Sequence, residues 1–127
     1  MTQYDIHMMG KPRMTQRDKW LNPPRKAVAR YWELKNKIQE NGVTYNENQH
    51  ITFILPMPKS WSKKKKSEHN GKPHRQKPDL DNLIKSLWDC LFKDDAHFAK
   101  VSAVKLWGYD PLLIIDNKEN TQSKGLE

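Results

Sequence analysis

Residues 81 to 92, DNLIKSLWDCLF, constrain the fold of this chain more than any other stretch. Leu83, Leu87 and Leu91 lie one helical turn apart with Ile84 and Trp88 beside them, which predicts a helix with one broad apolar stripe. Such a stripe must be covered by a second layer. The other apolar runs supply it. HITFILPMP, residues 50 to 58, is rich in β-branched and aromatic residues and closed by prolines, as a buried strand is. KVSAVKLWGY and LLIID read as two further strands separated by a turn at Asp110 and Pro111. YDIHMM alternates weakly and predicts a first strand ended by Gly10 and Pro12. Between Lys26 and about Glu40, Val28, Tyr31, Trp32, Leu34 and Ile38 recur at helical spacings, and Asn41 with Gly42 is a stop signal. The order β, α, β, α, β, β predicts an α/β fold: a single domain with a small mixed β-sheet packed by two main helices.

A length of 127 residues suits one domain. The expected domain covers residues 1–116, with 117–127 a flexible tail. Apolar residues make up 35% and charged residues 30%, so the core is small, yet five Trp, four Tyr and three Phe argue against a disordered chain. One cysteine, Cys90, excludes an internal disulfide and a multi-cysteine zinc site, and reads as a buried thiol in a reducing compartment. No apolar run approaches a membrane span and the N-terminus lacks a signal-peptide stretch, so the expected location is cytoplasmic, with no membrane partner. Gly71 and Lys72 lack the rest of a phosphate-loop pattern, and no small-molecule cofactor is expected.

The charge is concentrated. Lys59, Lys63, Lys64, Lys65, Lys66, Lys72, Arg75 and Lys77 stand against Glu68 alone, which is eight minus one, or +7 of the formal +8. Residues 59–78 are therefore expected to form a basic loop. Such a run is compatible with a solvated surface. Its position suggests more, because it leads directly into Asp79 and Asp81 and delivers its charge beside them. A cationic segment adjoining paired carboxylates suits a polyanionic substrate held where a metal can act. Trp61 reads either as a stacking platform for a base or as a packing anchor.

On the helix, Asp81, Lys85 and Asp89 are spaced four apart and share a face, so Lys85 can neutralise either neighbour. An N-cap followed by an ordinary ion-pair ladder accounts for Asp79, Asp81 and Asp89. It does not account for Asp94 and Asp95, which sit past the helix end, where the helix dipole disfavours carboxylates. Two pairs of aspartates, Asp79 with Asp81 and Asp94 with Asp95, in and around one helix call for a cation. Mg²⁺ takes hard oxygen ligands and binds through a few carboxylates plus substrate phosphate, which points to phosphodiester hydrolysis with a lysine stabilising charge. A helix of this length spans roughly 16 Å, so acids at its two ends share one ion only if the chain folds back or a second copy completes the site. The five histidines show no ligand or triad spacing and read as polar-loop or strand-edge residues. A non-catalytic basic nucleic-acid-binding protein, its aspartates merely caps and ion pairs, is the alternative.

The segment KPDLDNLIKSLWDCLFKDDAHF resembles the signature of the RusA-type Holliday junction resolvases, small endonucleases of phage and prophage origin. The matching residues are Asp79, Asp81, Asn82 and Lys85, followed by Asp94, Asp95 and Ala96, with a looser likeness over most of the chain. The resemblance implies a homodimer that binds branched DNA, the four-way junction above all, and cuts two strands symmetrically with Mg²⁺, for which Mn²⁺ can substitute. It implies that Asp79, Asp81 and Asp95 are catalytic and metal-binding acids, Lys85 a catalytic lysine and Asp94 a supporting metal-binding carboxylate. The DNA-binding residues expected from the charge run are Lys63, Lys64, Lys65, Lys66, Lys72, Arg75 and Lys77.

Overall fold

The computed structural model describes residues 1–13, 15–93 and 98–117. Its elements are β1 (Thr2–Tyr4), a 3-10 turn (Gln16–Lys19), α1 (Lys26–Glu40), β2 (Gln49–Pro56), α2 (Lys63–His69), α3 (Leu80–Leu91), β3 (Ser102–Gly108) and β4 (Leu112–Asn117). The strands form one mixed sheet in the order β1-β4-β2-β3, with β2 and β3 parallel and the other pairs antiparallel. The α/β architecture and the small mixed sheet with two main helices agree with the sequence patterns.

One core lies between the sheet and the helices. β2 alternates inward and outward, so Ile51, Phe53 and Leu55 face the helices, and their partners Ile115 and Leu113 on β4 point the same way. Tyr31, Leu34 and Ile38 of α1 and Leu83, Ile84 and Leu87 of α3 complete the core. Leu83 and Leu87 are fully buried, each worth about 1.5–3 kcal/mol relative to exposure. Trp32, part of the helical pattern in the sequence, instead stays exposed on the far side of α1. α1 stops where expected: Asn41 caps it and Gly42 takes φ +61°, a left-handed conformation that only glycine adopts without cost.

Three expectations need correction. The first strand is Thr2–Tyr4, not the YDIHMM run, because pairing with β4 ends at Tyr4 opposite Leu113 and the Ile6 N–H turns back onto the Tyr4 carbonyl at 2.8 Å. Ile6 and Met8 are buried all the same, outside the sheet. The basic segment is not a continuous loop, since Lys63 to His69 form α2. Ser62 caps that helix by accepting the Lys65 N–H at 3.1 Å, and Trp61 anchors it against His69 and Trp107, with ring centroids 4.8 Å away in each case. Like charges along α2 face water, so their repulsion is screened. The third concerns the tail expected from residue 117: Asn117 closes β4, and residues 118–127 lie outside the described residues.

After α2 the chain runs back along the outer edge of β3. Gly71 donates to the Trp107 carbonyl (2.8 Å), Trp107 to Lys72 (2.9 Å) and His74 to Lys105 (3.0 Å), with a bridge between Pro73 and Leu106. This covers a sheet edge that would otherwise be open, and it carries residues 75 to 78 to the start of α3.

Candidate active site

Asp79 is the N-cap of α3, and its carbonyl accepts the Leu83 N–H at 3.1 Å. Its side chain makes no capping hydrogen bond, so the carboxylate is not consumed by the helix it starts. Asp81 stands in the first turn with its side chain 74% exposed, and the ammonium of Lys85, whose side chain is 69% exposed, lies 4.0 Å from it. Two carboxylates and a lysine thus sit together at a helix N-terminus, where negative charge is favoured. Asn82 is half-buried beneath Gly10: a Cβ at Gly10 would fall 2.3 Å from the Asn82 Nδ2. A larger residue at position 10 would force the Asn82 amide to turn away, so glycine keeps Asn82 in this place beneath the loop.

Asp79 also lines a cleft of about 610 Å³ with His74, Arg75, Gln76, Lys77, Leu80 and Lys105 among its walls. A neighbouring depression of about 260 Å³ is lined by Trp61, Lys65, His69 and Trp107, and it shares Pro73, Arg75 and Gln76 with the first. The two therefore adjoin, one beside α2 and the other at Asp79. Arg75 and Lys77 are exposed in the cleft, and Lys63, Lys64 and Lys72 are exposed on the surface nearby in sequence. Lys65 lies over the Trp61 ring at 4.3 Å, and Trp61 packs at a tilt against Trp107 and His69, so it is a packing anchor.

Asp89 does not pair with Lys85. It accepts the Tyr31 hydroxyl at 2.5 Å and binds Lys11 at 3.3 Å and Lys35 at 3.2 Å. Partial burial pushes its carboxyl upward, but the Tyr31 bond and the two lysines outweigh this and hold it below the ordinary value. Burial, then the bond to Asp89, raises the Tyr31 phenol. Asp89 is therefore the point where α3, α1 and the Gly10–Arg13 loop are tied together. It is no part of the acidic pair.

Sequence reasoning missed this tie, and it missed two more residues at the cleft. His74 lies along the edge of β3 but is buried there, its ring 4.0 Å from that of Trp107; burial, then the Lys105 ammonium, pushes its imidazole below the ordinary value. Lys105 donates to the carbonyl of Pro78 at 2.7 Å and to that of Gln76. The strand alternation was the available signal: Ala103, Lys105 and Trp107 share a phase, and a lysine between two apolar residues on the covered face needs partners. Cys90 is half-buried, and burial raises its thiol.

The acids fit a hard divalent cation in kind, being carboxylate oxygens without capping bonds at a charge-favouring helix end. No group of three His, Cys, Asp or Glu is placed to hold a metal among the described residues. Asp94 and Asp95, expected to complete the set, lie outside the described residues. No helix among the described residues is long and apolar enough to cross a membrane.

The family model for endodeoxyribonuclease RusA matches residues 6–116, a span that contains the cleft, the acidic pair and both main helices. A crossover junction endodeoxyribonuclease RusA from Aquifex aeolicus (strain VF5) is 31% identical over 78 residues, which are 59% of this chain and 48% of that protein. The chain thus spans about half the length of the curated relative it matches. No solved structure matches the chain. With its acidic motif at the head of α3 inside a family match that runs from Ile6 to Asp116, the chain belongs to the RusA endodeoxyribonuclease family.

Proposed function

We propose that this protein is a structure-selective DNA endonuclease that resolves Holliday junctions and related branched DNA by paired phosphodiester hydrolysis. The observation that carries the reading is that Asp79 lines a cleft walled by Arg75, Lys77 and Lys105 and adjoining the depression at Lys65, while the exposed Asp81 and Lys85 follow Asp79 in the first turns of α3. A pure binder gains nothing from carboxylates beside its phosphate path. Lys63, Lys64, Lys65, Lys66, Lys72, Arg75 and Lys77 hold the DNA backbone. Asp79 and Asp81, with Asp95 and a supporting contribution from Asp94, hold Mg²⁺, for which Mn²⁺ can stand in. When bound, that ion activates water for attack on phosphorus and stabilises the developing charge. Lys85 is free to swing from Asp81 toward the phosphoryl oxygens or the leaving oxygen and stabilise its negative charge.

Two cuts related by symmetry call for two sites related the same way, so the working form is a C2 homodimer. Residues 1–116 make up the nuclease domain, and the enzyme acts in the cytoplasm. A synthetic four-way junction incubated with and without Mg²⁺, with the particle sized by sedimentation, tests the reading. The expected result is paired, Mg²⁺-dependent nicking by a dimer. Asp79→Asn and Asp81→Asn each abolish it while binding the junction in EDTA as tightly as the unmodified protein or more tightly, since repulsion of phosphate falls. A junction bound but uncut at every Mg²⁺ concentration leaves only a basic DNA-binding protein. Cutting by either variant at near the normal rate refutes the metal assignment.

A further inference from the structure

Lys105 occupies a place where an apolar residue is expected. In the parallel pairing of β2 with β3 it stands opposite Phe53, between Ala103 and Trp107, on the face of the sheet that the helices cover. An ammonium there loses hydration and must recover it from fixed acceptors. It finds them in the Gln76 and Pro78 carbonyls, the second at 2.7 Å. Its own carbonyl accepts the His74 N–H at 3.0 Å, so one residue grips the 74–78 segment at both ends. The next residue is Asp79. Lys105 and Asp79 line the same cleft, where burial pushes the ammonium below its ordinary value and the Asp79 carboxylate partly offsets this.

We propose that Lys105 is a positioning residue for the acidic pair: by holding the Gln76 and Pro78 carbonyls it fixes the path of the chain into α3, and with it the placement of Asp79 and Asp81. It touches neither substrate nor scissile bond. The inference rests on the endonuclease reading for its consequence in catalysis, but its structural core can be measured without activity. A clamp on backbone carbonyls acts through the first helical bond after the clamp, from the Leu83 N–H to the Asp79 carbonyl. Losing the ammonium frees the segment and leaves the sheet intact, because methionine fills the same slot on β3 with an unbranched apolar chain.

The test compares Lys105→Met with the unmodified protein by amide hydrogen exchange at Leu83, by Mn²⁺ titration of the protein alone, and by cleavage of a four-way junction across a Mg²⁺ series. Expected are faster exchange at Leu83, an unchanged melting temperature or a higher one, unchanged junction binding in EDTA, and a loss of about 10–100-fold in metal affinity or cleavage rate. A rescue separates charge from packing. Lys105→Cys in a Cys90→Ser background, alkylated with bromoethylamine, restores an ammonium at nearly the same reach, and the rate returns. Alkylation with iodoacetamide does not restore it. Normal Leu83 exchange in Lys105→Met, or a variant whose losses match its unfolded fraction and which aminoethylation fails to rescue, overturns the proposal. If the unmodified protein cuts no junction, the endonuclease reading falls, while Leu83 exchange still decides whether Lys105 holds the helix start.

Discussion

Replacing Asp89 with asparagine keeps the shape of the side chain and removes its charge from the junction of α1, α3 and the Gly10–Arg13 loop. Hydrogen bonds to charged acceptors are worth roughly twice neutral ones, so the Tyr31 bond, 2.5 Å long, falls from about 2 to about 1 kcal/mol. The ion pairs to Lys11 and Lys35 involve lysines with 42% and 36% of their side chains exposed, and after solvent screening each contributes about 0.5 kcal/mol. The expected loss is about 2 kcal/mol at pH 7, a fall in Tm on the order of 10 °C. A double-mutant cycle of Asp89→Asn with Tyr31→Phe, followed by urea denaturation, should return a coupling of about 1 kcal/mol. The pH dependence has a defined sign. Asp89 is held below its ordinary value in the folded protein, so its contribution is complete above the unfolded carboxylate pKa, about 3.9, and is lost as pH falls through the folded value. The stability gap between the two proteins should therefore be widest near neutrality and close in acid. Cleavage should survive in Asp89→Asn, because the acidic pair lies elsewhere on α3. Equal stability at pH 7, or a gap that widens in acid, refutes the tie; a folded variant that is dead at every Mg²⁺ concentration moves the ion to the Asp89 face of the helix.

Lys63→Gln, Lys64→Gln and Lys66→Gln together should keep α2 helical while flattening the slope of log affinity against log salt by up to ~0.9 per lost phosphate contact. Lys65 is retained because it lies over Trp61, and an unchanged slope would show the other three to be solvated surface only. Gly10→Ala drives a methyl to 2.3 Å from the Asn82 Nδ2, so either Asn82 rotates or the loop lifts. Because that nitrogen is the free end of a side chain that can rotate, the stability cost should be no more than about 1 kcal/mol, while displacement of Asn82 should reduce cleavage. Adding Asn82→Ala should remove that cost, and a Gly10→Ala protein that cuts at the unmodified rate would show that the placement of Asn82 does not serve the site.

The helices and strands were legible because their signals are local. Leu83 and Leu87, or Ile51, Phe53 and Leu55, are arranged by the period of one segment, and a run of neighbours suffices to read them. The acidic motif was legible for the same reason: Asp79, Asp81 and Lys85 lie within one stretch, and their fitness for Mg²⁺ follows from residue type and spacing. What the neighbours could not say is which remote group each of these residues meets. Asp89 looked like the next rung of a ladder with Lys85, but Tyr31, 58 residues away, reaches it once α1 and α3 share a core. The lysine run looked like a loop, and α2 depends on Trp61 finding Trp107 at the end of β3. Lys105 shares the phase of Ala103 and Trp107 along its strand, but only the parallel register with β2 puts that phase on the covered face, beneath carbonyls that arrive from the 74–78 segment. Periodicity sets which face of a segment is apolar, whereas pairing between distant segments depends on how the whole chain minimises its buried polar groups. Only the tertiary structure decides that.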